Sequence, residues 1–367
     1  MASIAKQPGG KWRARYRDSA GKEHAKHFAR KTDAQHWLDE VTASVVTGMY
    51  VDPKAGKVTF KQYAEQWAGI QMHRPTTQDH VANVLKNHAY PAFGDRPINL
   101  IMPSDIGVWV KRMSLTLSPS FVGTIHGIVS GIFRSAIRDR RIVSNPCDGT
   151  KLPTPTKKEI VPPTTETIGK LVQGAPERWA TLFTFAAGTG MRNGECLGLT
   201  RDRVDFLRRT VQVDRQMVTV VGRAPFLAPP KTRASVRTIP LPNVVVTALS
   251  EHVRVYDIAE DGLLFCDPSN KPISRTAFSA RVWIPTVAAA KITDPIRFHD
   301  LRHYYASLLI RHGESIKTVQ ARLGHASAAE TLDTYSHLWP DSDDRTREAI
   351  DSILGAPADS VRTERSS

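Results

Sequence analysis

The sequence predicts a multidomain fold made of a small N-terminal β-sheet with one helix, an all-α domain, and a mainly α domain that includes a small antiparallel β-sheet. Three observations support this prediction. A chain of 367 residues is long enough for two or three domains. Apolar residues recur with a period of two near the N-terminus and with helical spacing over most of the remaining chain. Residues 151–165 contain four prolines, which predicts a stiff, extended linker between two domains.

The charge of the chain indicates a polyanionic partner. The formal net charge is +14 and the isoelectric point is near 9.8. Such an excess of lysine and arginine is typical of proteins that bind nucleic acid. A soluble protein that is merely basic is the alternative interpretation. With 41% hydrophobic residues, the chain can also bury substantial cores.

The sequence favours a reducing compartment and no membrane partner. Its cysteines, Cys147, Cys196 and Cys266, lie far apart and match neither a metal-binding pattern nor a disulfide framework. No apolar run follows the first charged residues, so we do not expect a signal peptide. No stretch approaches 18 consecutive apolar residues, so we do not expect a membrane span.

Residues 1–56 begin with two predicted strands. The first strand is predicted where three apolar residues alternate with three arginines, in the order Trp12, Arg13, Ala14, Arg15, Tyr16 and Arg17. Residues 18–21 form a turn signal, and residues 22–28 form the second strand. This second strand carries three further basic side chains, Lys22, Lys26 and His27.

The N-terminal module is strongly basic. Between Lys11 and Lys31 there are eight lysines and arginines against two acids, a net charge of +6. A sheet with this charge can enter a DNA groove and place arginines on phosphates and base edges. A solvated hairpin face is the alternative. A helix capped by Thr32 or Asp33 is predicted to follow and to run to about Thr47.

Residues 57–150 predict an all-α domain. Apolar stripes at helical spacing indicate helices that begin near Phe60, Thr76, Pro103 and Ser118. Pro91 and Gly94 are expected to interrupt the chain after the second of these helices, and Asn145-Pro146 to end the last one. The last helix has a basic end, which indicates either phosphate contacts or a solvated surface: Arg134, Arg138, Arg140 and Arg141.

Residues 166–340 predict the mainly α domain. Two helices, over residues 165–173 and 179–187, precede a Gly-Thr-Gly break that ends the second one. Arg192 and Glu195 come after this break in a short loop. An arginine in such a loop is an ordinary surface residue in most proteins, so its role depends on the motifs further along the chain.

The middle of this domain predicts a small sheet. Alternating apolar residues indicate one strand over residues 209–221 and another over residues 235–241. Lys231 lies on the hairpin between them, where a lysine can also serve only to protect an edge strand. Residues 278–290 then predict a helix that Pro285 interrupts.

Residues 299–335 predict a compact unit of three helices. His299 and Arg302 are three residues apart and therefore share one face of the first helix. Leucines and tyrosines at helical spacing form the other face. Gly313 fits the left-handed position that follows a helix end.

The rest of this unit adds an imidazole and a phenol. Gly324 ends the second helix and leaves His325 at the turn. Ser327 and Glu330 predict a capping box, in which the serine accepts a hydrogen bond from the third amide and the glutamate reaches back. The third helix, which starts there, carries Tyr335.

This pattern resembles the tyrosine recombinases, specifically the phage-type integrases similar to lambda integrase. Their second signature box reads His-x-x-Arg, then Leu-Gly-His, then a tyrosine about ten residues on. Their first box places an arginine after Thr-Gly and before Gly-Glu, and their catalytic lysine stands in a Lys-Thr context. The matching residues here are Arg192, Lys231, His299, Arg302, His325 and Tyr335. The resemblance is good over residues 57–340 and weaker over residues 1–56.

The resemblance implies what each domain is. It implies an arm-type DNA-binding domain at 1–56, a core-binding helical domain of SAM-like fold at 57–150, a linker at 151–165, a catalytic domain with the tyrosine recombinase fold at 166–340, and a C-terminal tail with a short packing helix at 341–367. The expected DNA-binding residues are Arg13, Arg15, Arg17, Lys22, Lys26, Arg134, Arg138 and Arg141.

The residue types also predict a chemistry. Two guanidiniums can bind the non-bridging oxygens of a DNA phosphate and stabilise the charge of the transition state. Tyr335 is then the nucleophile that forms a covalent 3′-phosphotyrosine, and Lys231 is the general acid for the 5′-oxygen. His299 is expected to act as base or acid at the tyrosine, and His325 to bond the phosphate. No carboxylate cluster of the kind that holds Mg²⁺ is present, so we expect neither metal nor cofactor nor ATP.

We therefore predict a site-specific DNA recombinase, an integrase of phage or mobile-element DNA that also excises it. A type IB topoisomerase and a non-catalytic DNA-binding regulator are the alternatives. The expected partners are double-stranded DNA at core and arm-type attachment sites, three further copies of the chain in a homotetramer, a host DNA-bending protein and an excision factor. The expected location is the cytoplasm of a bacterial host, at the nucleoid.

The tail predicts one more helix, from about Asp343. Its apolar stripe consists of Ala349, Ile350, Ile353 and Leu354. Gly355 and Pro357 are expected to end it. At about twelve residues it is marginal alone in water, so its stripe must pack against its own domain or a neighbouring protomer.

Overall fold

The computed structural model describes residues 2–17, 21–46, 55–156, 159–339 and 343–354. The chain divides into two compact units, residues 1–157 and 158–367, which we describe separately. Residues 18–20 of the turn predicted at 18–21 lie outside the described residues, as does the predicted helix end at Gly355 and Pro357.

The first unit begins with a three-stranded antiparallel sheet in the order β1-β2-β3. Its strands and the following helix are β1 (Ser3–Lys6), β2 (Trp12–Arg17), β3 (Glu23–Phe28) and α1 (Lys31–Val46). We did not predict β1, because four residues are too short for a clear alternation. The prediction that Thr32 or Asp33 caps α1 is wrong, since α1 begins at Lys31 and both residues lie in its first turn.

The strand register separates the basic residues of this sheet into two faces. Arg13, Arg15 and Arg17 lie opposite His27, Ala25 and Glu23, respectively. Lys26 lies opposite the fully buried Ala14, on the face that α1 covers. Its ammonium group is 5.3 Å from the ring centre of Phe28 and 6.0 Å from that of Trp37 on α1. Lys26 therefore does not share the arginine face, contrary to the grouping made from sequence.

The remainder of the first unit is helical. Its helices are α2 (Phe60–Ile70), α3 (Pro75–Val84), α4 (Tyr90–Phe93), α5 (Pro103–Met113) and α6 (Pro119–Arg138). The predicted apolar stripes form its core, where the Phe60 ring lies 5.5 Å from the rings of both Phe93 and Phe133. By length and composition alone α6 could cross a membrane. However, its apolar side chains line this core, for example Val122, Ile125 and Val129 at 0% exposure.

Proline does not interrupt the helices where we predicted it would. A π-helical turn, Leu85–Ala89, joins α3 to α4, and Pro91 lies within α4. The same arrangement recurs in the second unit, where the π-helical turn Ser279–Trp283 precedes Pro285. A proline ring normally clashes with the carbonyl group four residues earlier. In both places that carbonyl lies in the wider turn, so the helical path continues past the proline.

The last helix of the first unit ends earlier than predicted. It stops at Arg138, and Arg140 adopts a left-handed conformation with φ of 52°. Asp139 at the helix end accepts a hydrogen bond of 2.6 Å from the Tyr63 hydroxyl. Asn145 is buried and donates to the Ser130 hydroxyl at 2.9 Å, so it closes the loop onto α6 instead of ending the helix.

The second unit contains ten helices and five strands within the described residues. Its helices are α7 (Thr165–Gly174), α8 (Glu177–Thr189), α9 (Asn193–Leu197), α10 (Asn243–Val255), α11 (Arg275–Phe278), α12 (Ile284–Ala289), α13 (Asp300–Arg311), α14 (Ile316–Leu323), α15 (Ala328–Tyr335) and α16 (Asp343–Leu354). The main core packs α8 and α10 against the strands and against α11 to α13.

The strands of this unit form two small antiparallel sheets. One has the order β4-β5-β8, with β4 (Val204–Asp205), β5 (Thr210–Val213) and β8 (Arg237–Pro240). The other pairs β6 (Gln216–Val218) with β7 (Phe226–Ala228). The single strand predicted over 209–221 is therefore two strands. They separate at Asp214, whose carboxylate bonds Arg203 at 2.8 Å and Arg215 at 2.9 Å.

Candidate active site

Arg302, in the first turn of α13, is the most buried of the candidate residues that carry a fixed charge, with 2% of its surface exposed. It donates to the Gly190 carbonyl at 2.9 Å and to the Leu323 carbonyl at 2.7 Å. Burial, together with nearby guanidiniums, lowers the pKa of Arg302 to about 9. At Gly190 a Cβ atom would lie 2.4 Å from the Tyr305 ring, so the absence of a side chain here is what lets the Tyr305 ring pack against the backbone.

Arg192 immediately precedes α9. It pairs with the Glu195 carboxylate at 3.1 Å and donates to the Gly324 carbonyl at 3.3 Å. About a third of its side chain remains exposed. Arg192 and Arg302 therefore bind the carbonyl groups of consecutive residues, and the two guanidiniums converge at the end of α14.

Arg237 on β8 is a residue of this site that we did not single out in the sequence. Its guanidinium bonds both carboxylate oxygens of Glu195, at 3.2 and 2.8 Å, and donates to the Arg322 carbonyl at 2.7 Å. It also donates to the Ser235 carbonyl at 2.8 Å. A signal for it existed, because Arg237 and the fully buried Ile239 occupy the same face of one strand. A charged residue at an inward position predicts a buried ion pair.

Glu195 forms ion pairs with both Arg192 and Arg237. We predicted a bond to nearby backbone, and the carboxylate does accept from the Arg192 amide at 2.9 Å. Burial by itself raises the pKa of Glu195, but the bonds to Arg237 and Arg192 outweigh burial and leave the pKa below its usual range. Glu195 is therefore a carboxylate that links two guanidiniums.

Tyr335, the last residue of α15, lies inside the smaller core of the second unit with 1% of its surface exposed. Its hydroxyl forms a 2.8 Å hydrogen bond with Nδ1 of His303. Burial raises the pKa of Tyr335 to about 12, against the opposing effect of Arg302 and Arg192. The phenol is therefore protonated, and it sits near both guanidiniums.

Two imidazole rings lie against this phenol, and a third lies against one of them. The ring of His325 is parallel to that of Tyr335 at 6.4 Å, and its Nδ1 bonds the Thr331 hydroxyl at 2.9 Å. The ring of His299, which precedes α13, meets the edge of the His303 ring at 4.9 Å. Burial, together with the guanidiniums, lowers the pKa of His325 to about 3 and also lowers that of His299. The sequence pattern predicts His299 at the tyrosine and His303 in a supporting role, but His303 holds the hydroxyl.

The cap of α15 differs in one bond from the predicted capping box. Ser327 accepts from the Glu330 amide at 3.3 Å, as predicted. The Glu330 carboxylate reaches back to the amide of Ala326 at 3.2 Å, one residue earlier than in a standard box. The cap fixes the turn that carries His325, because Ala326 is its neighbour.

Lys231 is exposed and lies between β7 and β8. The two strands predicted to flank it do pair, since β5 is antiparallel to β8, but the connection between them also contains the separate β6-β7 pair. The short turn that follows it, Arg233–Ser235, packs on Gly324. A Cβ at Gly324 would stand 3.0 Å from the Ala234 carbonyl oxygen. The segment that follows Lys231 therefore packs against the same turn whose carbonyl groups accept hydrogen bonds from Arg192 and Arg302.

The predicted DNA-binding residues in α6 and just after it divide by environment. Arg134 and Arg138 line a shallow groove together with Trp67 and Asp139. Arg141 is partly buried and donates to the Ala55 carbonyl at 3.3 Å, which gives it a structural role within the unit. Among the described residues, no group of three or more His, Cys, Asp and Glu side chains could hold a metal ion.

Three protein-family models match the chain. The model described as "Phage integrase family" matches residues 164–341, "Phage integrase, N-terminal domain" matches residues 2–47, and "Phage integrase central domain" matches residues 60–151. Together they account for most of the sequence up to residue 341.

Relatives and solved structures agree with these matches. The chain is 27% identical to a XerC-like tyrosine recombinase of Caldanaerobacter subterraneus subsp. tengcongensis, over 92% of this chain and 94% of that protein. It is 26% identical to the ICEBs1 integrase of Bacillus subtilis, over 77% and 79% of the two chains.

Two solved structures have a similar fold. One is the Tn1549 transposon integrase in complex with circular intermediate DNA, with a TM-score of 0.66, 23% identity, and 81% of this chain and 100% of that chain covered. The other is a lambda integrase tetramer bound to a Holliday junction, with a TM-score of 0.60, 17% identity, and 89% and 96% of the two chains covered.

Proposed function

Because this chain is a site-specific tyrosine recombinase of the phage integrase family, we propose that it cuts and rejoins DNA through Tyr335 to integrate and excise mobile DNA. The proposed catalytic set is Arg192, Lys231, His299, Arg302, His325 and Tyr335. One observation carries the proposal. Two guanidiniums donate to consecutive carbonyls, at residues 323 and 324, and their positive charges oppose the effect of burial on the pKa of the buried phenol of Tyr335.

This geometry supports a phosphoryl transfer. A DNA phosphate that entered between Arg192 and Arg302 would meet donors that stay charged throughout the reaction. These guanidiniums would stabilise the extra charge of the transition state, an effect worth several kcal/mol for a single well-placed donor. His325 is buried and neutral, and its Nε2 would be the donor toward the phosphate.

The covalent intermediate conserves the energy of the cleaved bond. Tyr335 would attack phosphorus, and the 5′-oxygen would leave with a proton from Lys231. Because the phosphate ester is kept on the tyrosine, the reverse attack by a 5′-hydroxyl rejoins a strand without ATP. When the same cleavage and rejoining steps take place at two duplexes, the duplexes exchange strands.

A nicked core-site duplex that loses its 5′-hydroxyl fragment tests this function. We expect wild-type protein to accumulate a 3′-phosphotyrosine adduct, and peptide mapping to place it on Tyr335. With two intact sites we expect recombinant products. Relaxation of supercoiled DNA without recombinants would indicate a type IB topoisomerase, and binding without cleavage would indicate a regulator.

The proposed partners agree with the same function. We propose double-stranded DNA with core and arm-type sites as the substrate, and a homotetramer as the active assembly, as in the lambda integrase tetramer on a Holliday junction. A host DNA-bending protein and an excision factor complete the proposed assembly. We place the protein in the bacterial cytoplasm at the nucleoid, where such DNA is found.

The arginine face of the N-terminal sheet is expected to bind arm-type DNA. Replacing Arg15 and Arg17 together by alanine should weaken arm-site binding by full-length protein and flatten its salt dependence. The slope of log K against log salt should fall by about 0.9 for every DNA phosphate that the variant no longer neutralises. Lys26→Ala is the matched control, because Lys26 lies on the face that α1 covers. An equal loss of affinity in Lys26→Ala would contradict the assignment of faces.

The apolar stripe of α16 is expected to bind a neighbouring protomer. Ile350, Ile353 and Leu354 are 52%, 74% and 78% exposed, so the stripe is largely unburied within one chain. The side chain of Ala349, the fourth residue of the predicted stripe, lies outside the described residues. Because α16 follows α15 closely in the chain, docking of α16 onto a neighbouring protomer would also hold α15. Formation of the assembly would then set the position of Tyr335, the last residue of α15.

We expect Ile350→Asp with Leu354→Asp to reduce synapsis and recombination more than binding of one protomer to a half-site. Gel shifts on half-sites and on paired full sites measure the two quantities. Equal loss of both would indicate packing within the same chain, and no loss of either would rule out a role for α16.

A further inference from the structure

We propose that His303, which lies outside the set of six catalytic residues, is the catalytic base that accepts the phenolic proton of Tyr335. The proposal rests on Tyr335 as the nucleophile. It assigns to His303 a step that the order of motifs in the sequence assigns to His299.

The hydrogen-bond geometry carries the argument. Nδ1 of His303 is 2.8 Å from the Tyr335 oxygen, within the range in which a base can take a proton directly. Within the described part of the chain, this is the hydrogen bond that the phenol makes. His303 follows Arg302 on α13, so the residue that takes the proton is covalently adjacent to a residue that would bind the phosphate. His303 is buried, with 6% of its surface exposed, so water does not compete for Nδ1.

Burial and the surrounding charges keep His303 neutral, so that its lone pair is available. Burial first, and then His299 and Arg302, lower its pKa to about 4, while Asp300 opposes them. Neutral imidazole with its proton on Nε2 presents the Nδ1 lone pair to the phenol. A phosphate bound at Arg302 would add negative charge and offset this guanidinium, so His303 would become more basic when substrate is present.

The step balances without a further reactant. The Tyr335 oxygen forms its bond to phosphorus while its proton moves to Nδ1 of His303. The bond between phosphorus and the 5′-oxygen breaks, and that oxygen takes a proton from Lys231. On rejoining, a 5′-hydroxyl attacks phosphorus and returns its proton to Lys231. The bond between phosphorus and the Tyr335 oxygen breaks, and the phenol recovers its proton from His303. His299, edge-on to the ring of His303, is then one imidazole further from the reacting oxygen.

A substrate with sulfur in place of the bridging 5′-oxygen tests the assignment. A thiolate leaves without a proton, so this substrate removes the need for the acid but not for the base. We expect His303→Asn, whose side-chain oxygen can still accept the bond from the phenol, to slow adduct formation by about 10²- to 10⁴-fold on both substrates. Lys231→Ala should be slow on the oxygen substrate and close to wild type on the sulfur substrate.

Three outcomes would overturn the proposal. Adduct formation by His303→Asn at or above the wild-type rate would mean that His303 only holds the phenol. Recovery of this variant on the sulfur substrate would place His303 at the leaving group. A wild-type adduct on a residue other than Tyr335 would overturn the proposed function as well, so the two failures are distinct. His303→Gln is the substitute if the asparagine variant unfolds below the wild-type midpoint.

Discussion

Tyr335→Phe is expected to bind core-site DNA with wild-type affinity and to form no covalent complex at all. The variant keeps the ring, and therefore keeps the packing against Tyr305, Val319 and Leu323 in the smaller core of the second unit. It loses one hydroxyl and leaves Nδ1 of His303 without its partner. The stability cost should be about 1 kcal/mol, typical of one intramolecular hydrogen bond.

The measurement is adduct formation on the nicked core-site duplex, together with a half-site gel shift. Tyr305→Phe is the matched control, because Tyr305 is buried in the same core but its ring packs on Gly190. We expect this control to form adduct. Covalent complex in Tyr335→Phe, mapped to Tyr304 or Tyr305, would show that the nucleophile is another tyrosine.

Arg237→Ala is expected to lower the free energy of unfolding by about 3 to 5 kcal/mol, the range for removal of one partner from a buried ion pair. The side chains of Arg237 and Glu195 are 5% and 3% exposed, and the pair has the bidentate geometry that makes such bonds strong. Without Arg237, Glu195 keeps only Arg192, and the carbonyls of Arg322 and Ser235 lose their donor.

Urea unfolding measures this loss, and Arg254→Ala provides the control. Arg254 pairs with Glu251 on the surface of α10, with side-chain exposures of 72% and 58%. Removal of an exposed pair of this kind is not expected to shift the midpoint measurably. If both variants unfolded at the same urea concentration, the pair of Arg237 and Glu195 would contribute no net stability.

The elements with strong local patterns could be predicted from the sequence. The stripe on α6 and the glycines after α13 and α14 specify their structure through side-chain spacing and backbone conformation alone, and Gly313 and Gly324 are indeed left-handed. The order of residues in the second box was enough to predict the short helices that present Arg302 and Tyr335, and the turn that carries His325.

Features that depend on distant residues could not be predicted in this way. His303 meets Tyr335 because α13 and α15 both pack against α14, although the two residues are 32 positions apart in sequence. The face of Lys26 depends on the strand register, and the helices continue past Pro91 and Pro285 because π-helical turns absorb the clash. The buried ion pair of Arg237 could not be predicted without knowing that its partner, Glu195, lies on α9.

The hydrogen bonds at the end of α14 limit which sequence changes this protein can tolerate. Three consecutive main-chain carbonyls, at residues 322, 323 and 324, accept hydrogen bonds from Arg237, Arg302 and Arg192. A substitution cannot delete a main-chain carbonyl, so point changes at Arg322 leave its acceptor in place. Insertion of one residue within α14 would rotate all three carbonyls by about 100° around the helix axis. Homologues should therefore tolerate a different side chain at residue 322 far better than any change in the length of this helix.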